Sequence, residues 1–175
     1  MRKIVCGLWL LLLIASPFTG QTTEWKKYKN ADGNFTVLFP GDPQDSVNQS
    51  TEGVRSHTLM AREGSSIYTV VYTVMDSAQT VDEHTYQVFR DAVFKELPKC
   101  EQGPEQPASP ALEQYIGHHY RLSCAMPNEV TVAGNLYWGK HYAFAVMTMF
   151  PSSATEAVDQ EKRFMDSFGA VDPAK

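Results

Sequence analysis

Two segments of this chain, 66–75 and 141–150, are apolar on both faces when laid out as strands, and this limits the fold more than any other feature. In the first, Tyr68, Val70, Tyr72 and Val74 alternate with Ile67, Thr69, Val71, Thr73 and Met75. In the second, Tyr142, Phe144, Val146 and Phe150 alternate with Ala143, Ala145, Met147 and Met149. Neighbouring side chains of a strand point to opposite faces, so neither segment suits a sheet with one wet side. Each calls for a central strand covered on both sides. The small Ala143 and Ala145 allow a helix to approach closely.

Two helices are available as cover. Thr80, Val81, Asp82 and Glu83 have the form of a capping box, and Tyr86, Phe89, Val93 and Leu97 then make one apolar stripe that ends at Pro98. A second box, Ser153 to Glu156, opens a helix whose stripe is Ala154, Ala157, Val158, Met165 and Phe168, with Gly169 as its stop. Further strands are expected at 35–39 (Phe35, Val37 and Phe39 on one face, closed by Pro40), 54–62, 115–125 and 129–138. A segment at 99–106 reads as a strand, and Pro104, Pro107 and Pro110 make the next stretch a loop. Gly139 and Lys140, and the turn at 126–128, are hairpin-length connections, so the sheet is expected to be mostly antiparallel. These readings predict an α+β domain: an α-β-α sandwich with a central antiparallel sheet and two main helices at 81–97 and 153–168.

The N-terminus carries an address. Arg2 and Lys3 precede an apolar run of 12 residues from Ile4 to Ala15, broken by Ser16 and Pro17. That is the layout of a secretory signal peptide over residues 1–20, and the run is shorter than the ~20 residues a spanning helix needs. The mature domain is then 21–175, exported to the periplasm or the exterior, with no stable membrane insertion. The chain has 15 basic and 20 acidic residues, a net charge of −5, which removal of Arg2 and Lys3 makes more acidic still. Such a balance argues against nucleic acid, whose phosphates need a basic face.

Export decides how the cysteines read. Cys100 and Cys124 remain in an oxidising compartment, where disulfides persist. Their 23 intervening residues, without a CxxC, suit neither a zinc site nor thioredoxin-like chemistry. If the two segments pair as an antiparallel hairpin, facing positions have a constant sum, here 224, centred on residue 112 just beyond the proline-rich stretch. A structural disulfide between Cys100 and Cys124 is the expectation.

Catalytic signals are sparse. The histidines are His57, His84, His118, His119 and His141, with no HExxH and no His-x-His. His118 and His119 are adjacent on a strand and cannot both bind one metal from there. Any metal would be sought at His119 or His141 beside a carboxylate. There is no GxSxG elbow and no glycine-rich phosphate loop. Tyr137, Trp138 and Tyr142 flank a hairpin, where aromatic side chains ordinarily pack across strands rather than line a ligand groove. No catalytic residue, metal or cofactor is called for.

The run Phe35-Thr36-Val37-Leu38-Phe39-Pro40, the pair Leu136-Tyr137 before a hairpin and Phe164-Met165-Asp166-Ser167-Phe168 near the end together resemble the PsbP-like superfamily. The resemblance is closest to exported bacterial members that begin GxFxVxFPGxP, and it covers nearly all of the mature chain. It implies an α-β-α sandwich and a non-enzymatic binding or assembly role. Its motifs are structural, and no functional residue carries over from them. The function expected is an exported, non-catalytic binding or protein-interaction module, its partner an unidentified protein or small ligand. The alternative is a small periplasmic metal-dependent or hydrolytic enzyme whose site comes together only in space.

Overall fold

The computed structural model describes residues 24–49, 54–95, 97, 100–125 and 129–171. The expected signal segment 1–20, the helix stop at Pro98 and the turn at 126–128 lie outside the described residues. In chain order the elements are β1 (Trp25–Asn30), β2 (Phe35–Pro40), β3 (Gln44–Gln49), β4 (Arg55–Glu63), β5 (Ser66–Val74), α1 (Glu83–Lys95), β6 (Cys100–Gln102), β7 (Gln106–Pro107), β8 (Ile116–Ala125), β9 (Glu129–Trp138), β10 (Tyr142–Pro151), α2 (Ala157–Asp166) and β11 (Gly169–Ala170). They build an eight-stranded sheet, ordered β3-β4-β5-β10-β9-β8-β6 with β7 also on β8, and a three-stranded sheet, β1-β2-β11. Every strand pair is antiparallel.

The two-faced segments became β5 and β10, paired with each other near the middle of the large sheet. On one face Tyr68, Val70, Tyr72, Phe144 and Val146 meet Phe35, Val37 and Phe39 of β2 and Phe164, Met165 and Phe168 from the C-terminal segment. The rings interlock: Phe144 lies 5.2 Å from Phe168 and 5.7 Å from Phe35, both edge-on. On the other face Ala143, Ala145, Val71, Leu136 and Trp138 meet Tyr86 and Val93 of α1. The two alanines share this cluster with the helix, whose nearest strand is β9.

The expected α-β-α sandwich is overturned. Of the described residues 53% are in strands and 17% in helices. One face of the large sheet is covered by the three-stranded sheet with α2 beside it, so that layer is not helical. The reason lies in 35–39: its apolar alternation identified a strand, but the strand belongs to a second sheet that packs face to face on the first.

Helix boundaries also shift. The cap of α1 is Asp82 rather than Thr80: its Oδ1 accepts the Thr85 backbone N–H at 2.8 Å, while Thr85 Oγ1 accepts the Asp82 N–H at 3.3 Å. These bonds from Thr85 hold the Asp82 carboxyl below the ordinary carboxylate value. The Thr80 carbonyl is used otherwise, accepting Trp138 Nε1 at 2.9 Å. The second expected box does not form. The N-cap of α2 is Glu156, without a side-chain bond, and α2 spans ten residues rather than the whole of 153–168. Its stripe is rotated from the expected one. Phe164 is fully buried whereas Val158 is exposed.

The segment 99–106 became two short strands joined through Gly103. Cys100 faces Cys124 and Gln102 faces Leu122, both at the sum of 224, and the disulfide forms. At Gln106 opposite His119 the sum has become 225, so one extra residue bulges out between them. Gly103 sits in the bulge, its N–H donating to the Arg121 carbonyl at 2.9 Å. Replacing Cys100 and Cys124 together by serine should lower the unfolding free energy by about 3 kcal/mol in the chain-entropy model. Urea denaturation with and without reductant measures it. A wild-type midpoint indifferent to reductant would show that the bridge contributes nothing.

Candidate functional site

β8 carries the polar chemistry, and its alternation divides that chemistry between two faces. His118 points to the α1 side. Its ring lies 4.7 Å from that of Tyr86, its Nδ1 is 2.6 Å from Glu105 Oε1, and its Nε2 is 3.9 Å from Glu83 Oε1 in the first turn of α1. Glu105 also faces Arg90 at 3.7 Å, and Arg90 binds Asp91 at 2.8 Å. Below them the hydroxyls of Tyr86 and Tyr120 share a hydrogen bond of 2.6 Å. Burial pushes the Tyr120 phenol up to about 12, and raises Tyr86 further because its bond to Tyr120 adds to burial. These groups pin α1 to the sheet.

His119 points to the α2 side. Asn135 donates through Nδ2 to the Ser109 carbonyl at 2.8 Å and to the Tyr137 hydroxyl at 3.1 Å, while Tyr137 donates to the Pro110 carbonyl at 2.9 Å. With both amide hydrogens engaged, the Asn135 oxygen must accept, so His119 donates to it through Nδ1 at 2.9 Å. Its Nε2 is 4.0 Å from Glu161, whose buried carboxylate already holds Arg121 at 2.5 Å. The network ties the segment at Ser109 and Pro110, together with α2, to β8 and β9.

The remaining histidines stand apart. His57 stacks on Tyr72 at 4.6 Å, with its Nδ1 3.8 Å from Asp45. His84 is exposed on α1, and His141 lies in the β9–β10 turn, where its carbonyl accepts the Met75 N–H at 2.9 Å. Of the two positions singled out for a metal, His119 does meet a carboxylate, but that carboxylate is paired to Arg121. Among the described residues no group of three or more His, Cys, Asp or Glu is placed to hold a metal ion. The flanking aromatics pack, but not across the hairpin strands as expected: Tyr137 stacks on Phe168 at 5.6 Å, Trp138 lies tilted against Phe89 of α1 at 5.4 Å, and Tyr142 stacks on Phe144 of its own strand at 5.9 Å. They do not converge on a groove.

A different surface is built on the α1 side. α1 is centred over β9, reaches Val71 of β5 and Ala143 and Ala145 of β10 at one end of those strands, and leaves β4 without a helix above it among the described residues. Register places Met60, Thr69, Met147 and Gly134 in one row across four strands, and Arg62, Ile67, Met149 and Val132 in the next. Met60, Ile67, Thr69, Met147 and Met149 are all half-buried; Met147 packs on the cluster beneath α1 and Met149 on the cluster of Leu122, Cys124 and Val132, so the flank lies at the margin of both. Gly134 fixes how Met147 lies, since a Cβ there would come within 2.8 Å of Met147 Cγ and of the Val146 carbonyl. The row opens beside α1 into a shallow apolar cleft lined by Phe94, Leu97, Leu122 and Val132. The alternation of 141–150 had placed Met147 and Met149 on this face. It gave no sign that the helix would stop short of covering them.

No family model and no curated protein matches the chain.

The tyrosines give this arrangement a pH signature. Tyr68, Tyr86, Tyr120 and Tyr137 are all raised above the ordinary value of 10.0, first by burial. A raised folded value means that the unfolded chain loses these protons first. Their contribution to stability is therefore intact below pH 10 and falls as pH rises toward and past 12. At about pH 11, absorbance of the native protein should report phenolate from only part of its 8 tyrosines, the rest ionising together with unfolding. Reversible ionisation of all of them near pH 10, with the fold intact, would contradict the buried Tyr86–Tyr120 pair.

Proposed function

We propose that the chain is an exported, non-catalytic protein-interaction module whose working surface is the open flank of the large sheet beside α1. The observation that carries the reading is the asymmetry of that sheet. One face is sealed by ring-on-ring packing, and the other leaves Met60, Ile67, Met147 and Met149 half-exposed in adjoining rows. Methionine is flexible and polarisable, and suits a surface that must adapt to an apolar partner. A contiguous apolar patch of this kind on a sheet marks a contact site rather than ordinary surface. The flank is flat and its cleft shallow, which favours a macromolecular partner over an engulfed small molecule. Export is supported by the basic and apolar N-terminal pattern and by the disulfide between Cys100 and Cys124. The resemblance to PsbP-like proteins implies the same class of role.

A hydrolytic or metal-dependent site would be sought at His118, the histidine with carboxylates on both sides. Those carboxylates already serve Arg90 and the first turn of α1.

Photo-crosslinking in the secreting cell tests the proposal. A benzophenone side chain at Met60 or Thr69 should give a discrete adduct with one protein, and the same group at Lys162, on the opposite side of the molecule, should not. Adducts from Lys162 alone, or equal yields from all three positions, would overturn it.

A further inference from the structure

The two sheets have four edges, and three of them are guarded against pairing with another chain. β1 carries Lys26, Lys27 and Lys29. β11 is two residues long. The β6 and β7 edge is short, is interrupted by the bulge at Gly103, contains Pro107 and is bridged by the disulfide. Lysine, shortness, proline and bulges are the usual devices that keep an edge from templating a new strand. β3 has none of them. It pairs with β4 through all six of its residues without a break, and it bears a single charge, Asp45. It also exposes Val47, 54% accessible, to solvent.

We propose that β3 is the seam of a symmetric dimer, in which two copies of this chain join their β3 strands antiparallel and extend the large sheet across the twofold axis. Because only one edge of that sheet is open among the described residues, the pairing closes on itself and does not propagate into a fibre. The register is set by parity. An axis normal to the sheet keeps each face continuous, so facing residues must share a face, and the sum of their numbers must be even. A sum of 90 sets Asp45 against its own copy, which like charge opposes. A sum of 92 sets Asp45 against the apolar Val47. A sum of 94 sets Val47 against Val47 of the second copy and Asp45 against Gln49, burying the exposed valine and giving the carboxylate an amide partner. The flanking row then runs His57, Val47, Val47 and His57 across the seam, since Val47 faces His57 on β4. The partner of this edge is thus a second copy of the chain, and the seam is distinct from the open flank beside α1.

Sedimentation velocity of the secreted protein over a hundredfold range of concentration should show a monomer–dimer equilibrium that Val47→Lys shifts to monomer, with the unfolding midpoints of the two equal at the dilute end, where both are monomeric. Cysteine crosslinking fixes the register without relying on that variant. Val47→Cys should oxidise to a covalent dimer several-fold faster than Ser46→Cys, because only the sum of 94 brings two copies of position 47 face to face. Monomer at every concentration, a dimer indifferent to Val47→Lys, or faster crosslinking through Ser46→Cys would each overturn the proposal.

Discussion

The packing of β10 on both of its faces is the constraint on which the rest of this structure depends. Phe144 and Val146 are fully buried against the small sheet and the C-terminal rings, while Ala143 and Ala145 are buried against α1. Burying a large apolar side chain stabilises by about 1.5–3 kcal/mol, so a strand that presents such residues on both sides is stable only between two layers. With β5 on one side and β9 on the other, β10 fixes the order of the large sheet and the sides on which its two coverings sit. α1 packs on the face where the residues are alanine. The aromatic layer forms where they are phenylalanine and valine.

The two coverings are unequal. The small sheet and α2 close one face with interlocked rings, and α2 is held there partly by the ion pair of buried Glu161 with Arg121. A carboxylate so buried would be costly without its partner, so this pair positions α2 rather than adding stability of its own. α1 is a single helix about 10 Å across lying on a sheet whose strands are spaced by about 4.8 Å. It covers Ala143 and Ala145 of β10 but not the whole width of the sheet, and Met60, Ile67, Thr69, Met147 and Met149 remain half-exposed beyond it. The proposed function rests on that inequality of cover.

Much of this was legible in the chain. Period-two alternation located β2, β4, β5, β8, β9 and β10, and the centre that a Cys100–Cys124 pair implies, residue 112, fell beside the proline-rich loop, as a hairpin requires. What the sequence withheld has physical causes. Alternation reports that Phe35, Val37 and Phe39 share a face, but not which sheet their strand joins, and this is where the α-β-α expectation failed. β3, with the sequence Gln44 to Gln49, has a single apolar side chain and so no alternation to find. Glu161 looks like any exposed helical acid until the fold brings Arg121, forty residues away, beside it. The open flank was legible as two methionines on one face of 141–150, but the reach of α1 depends on where the helix lands, and that is a tertiary fact.

The central claim is that one face of the large sheet is a sealed core and the other is sealed only in part. Equilibrium urea unfolding of two truncations tests it most directly. Phe144→Ala, on the closed face, should cost about 3–5 kcal/mol, whereas Met60→Ala, on the open flank, should cost less than about 1 kcal/mol, as a surface substitution does. Comparable losses from the two would show that the flank is as tightly packed as the core, and would contradict the claim.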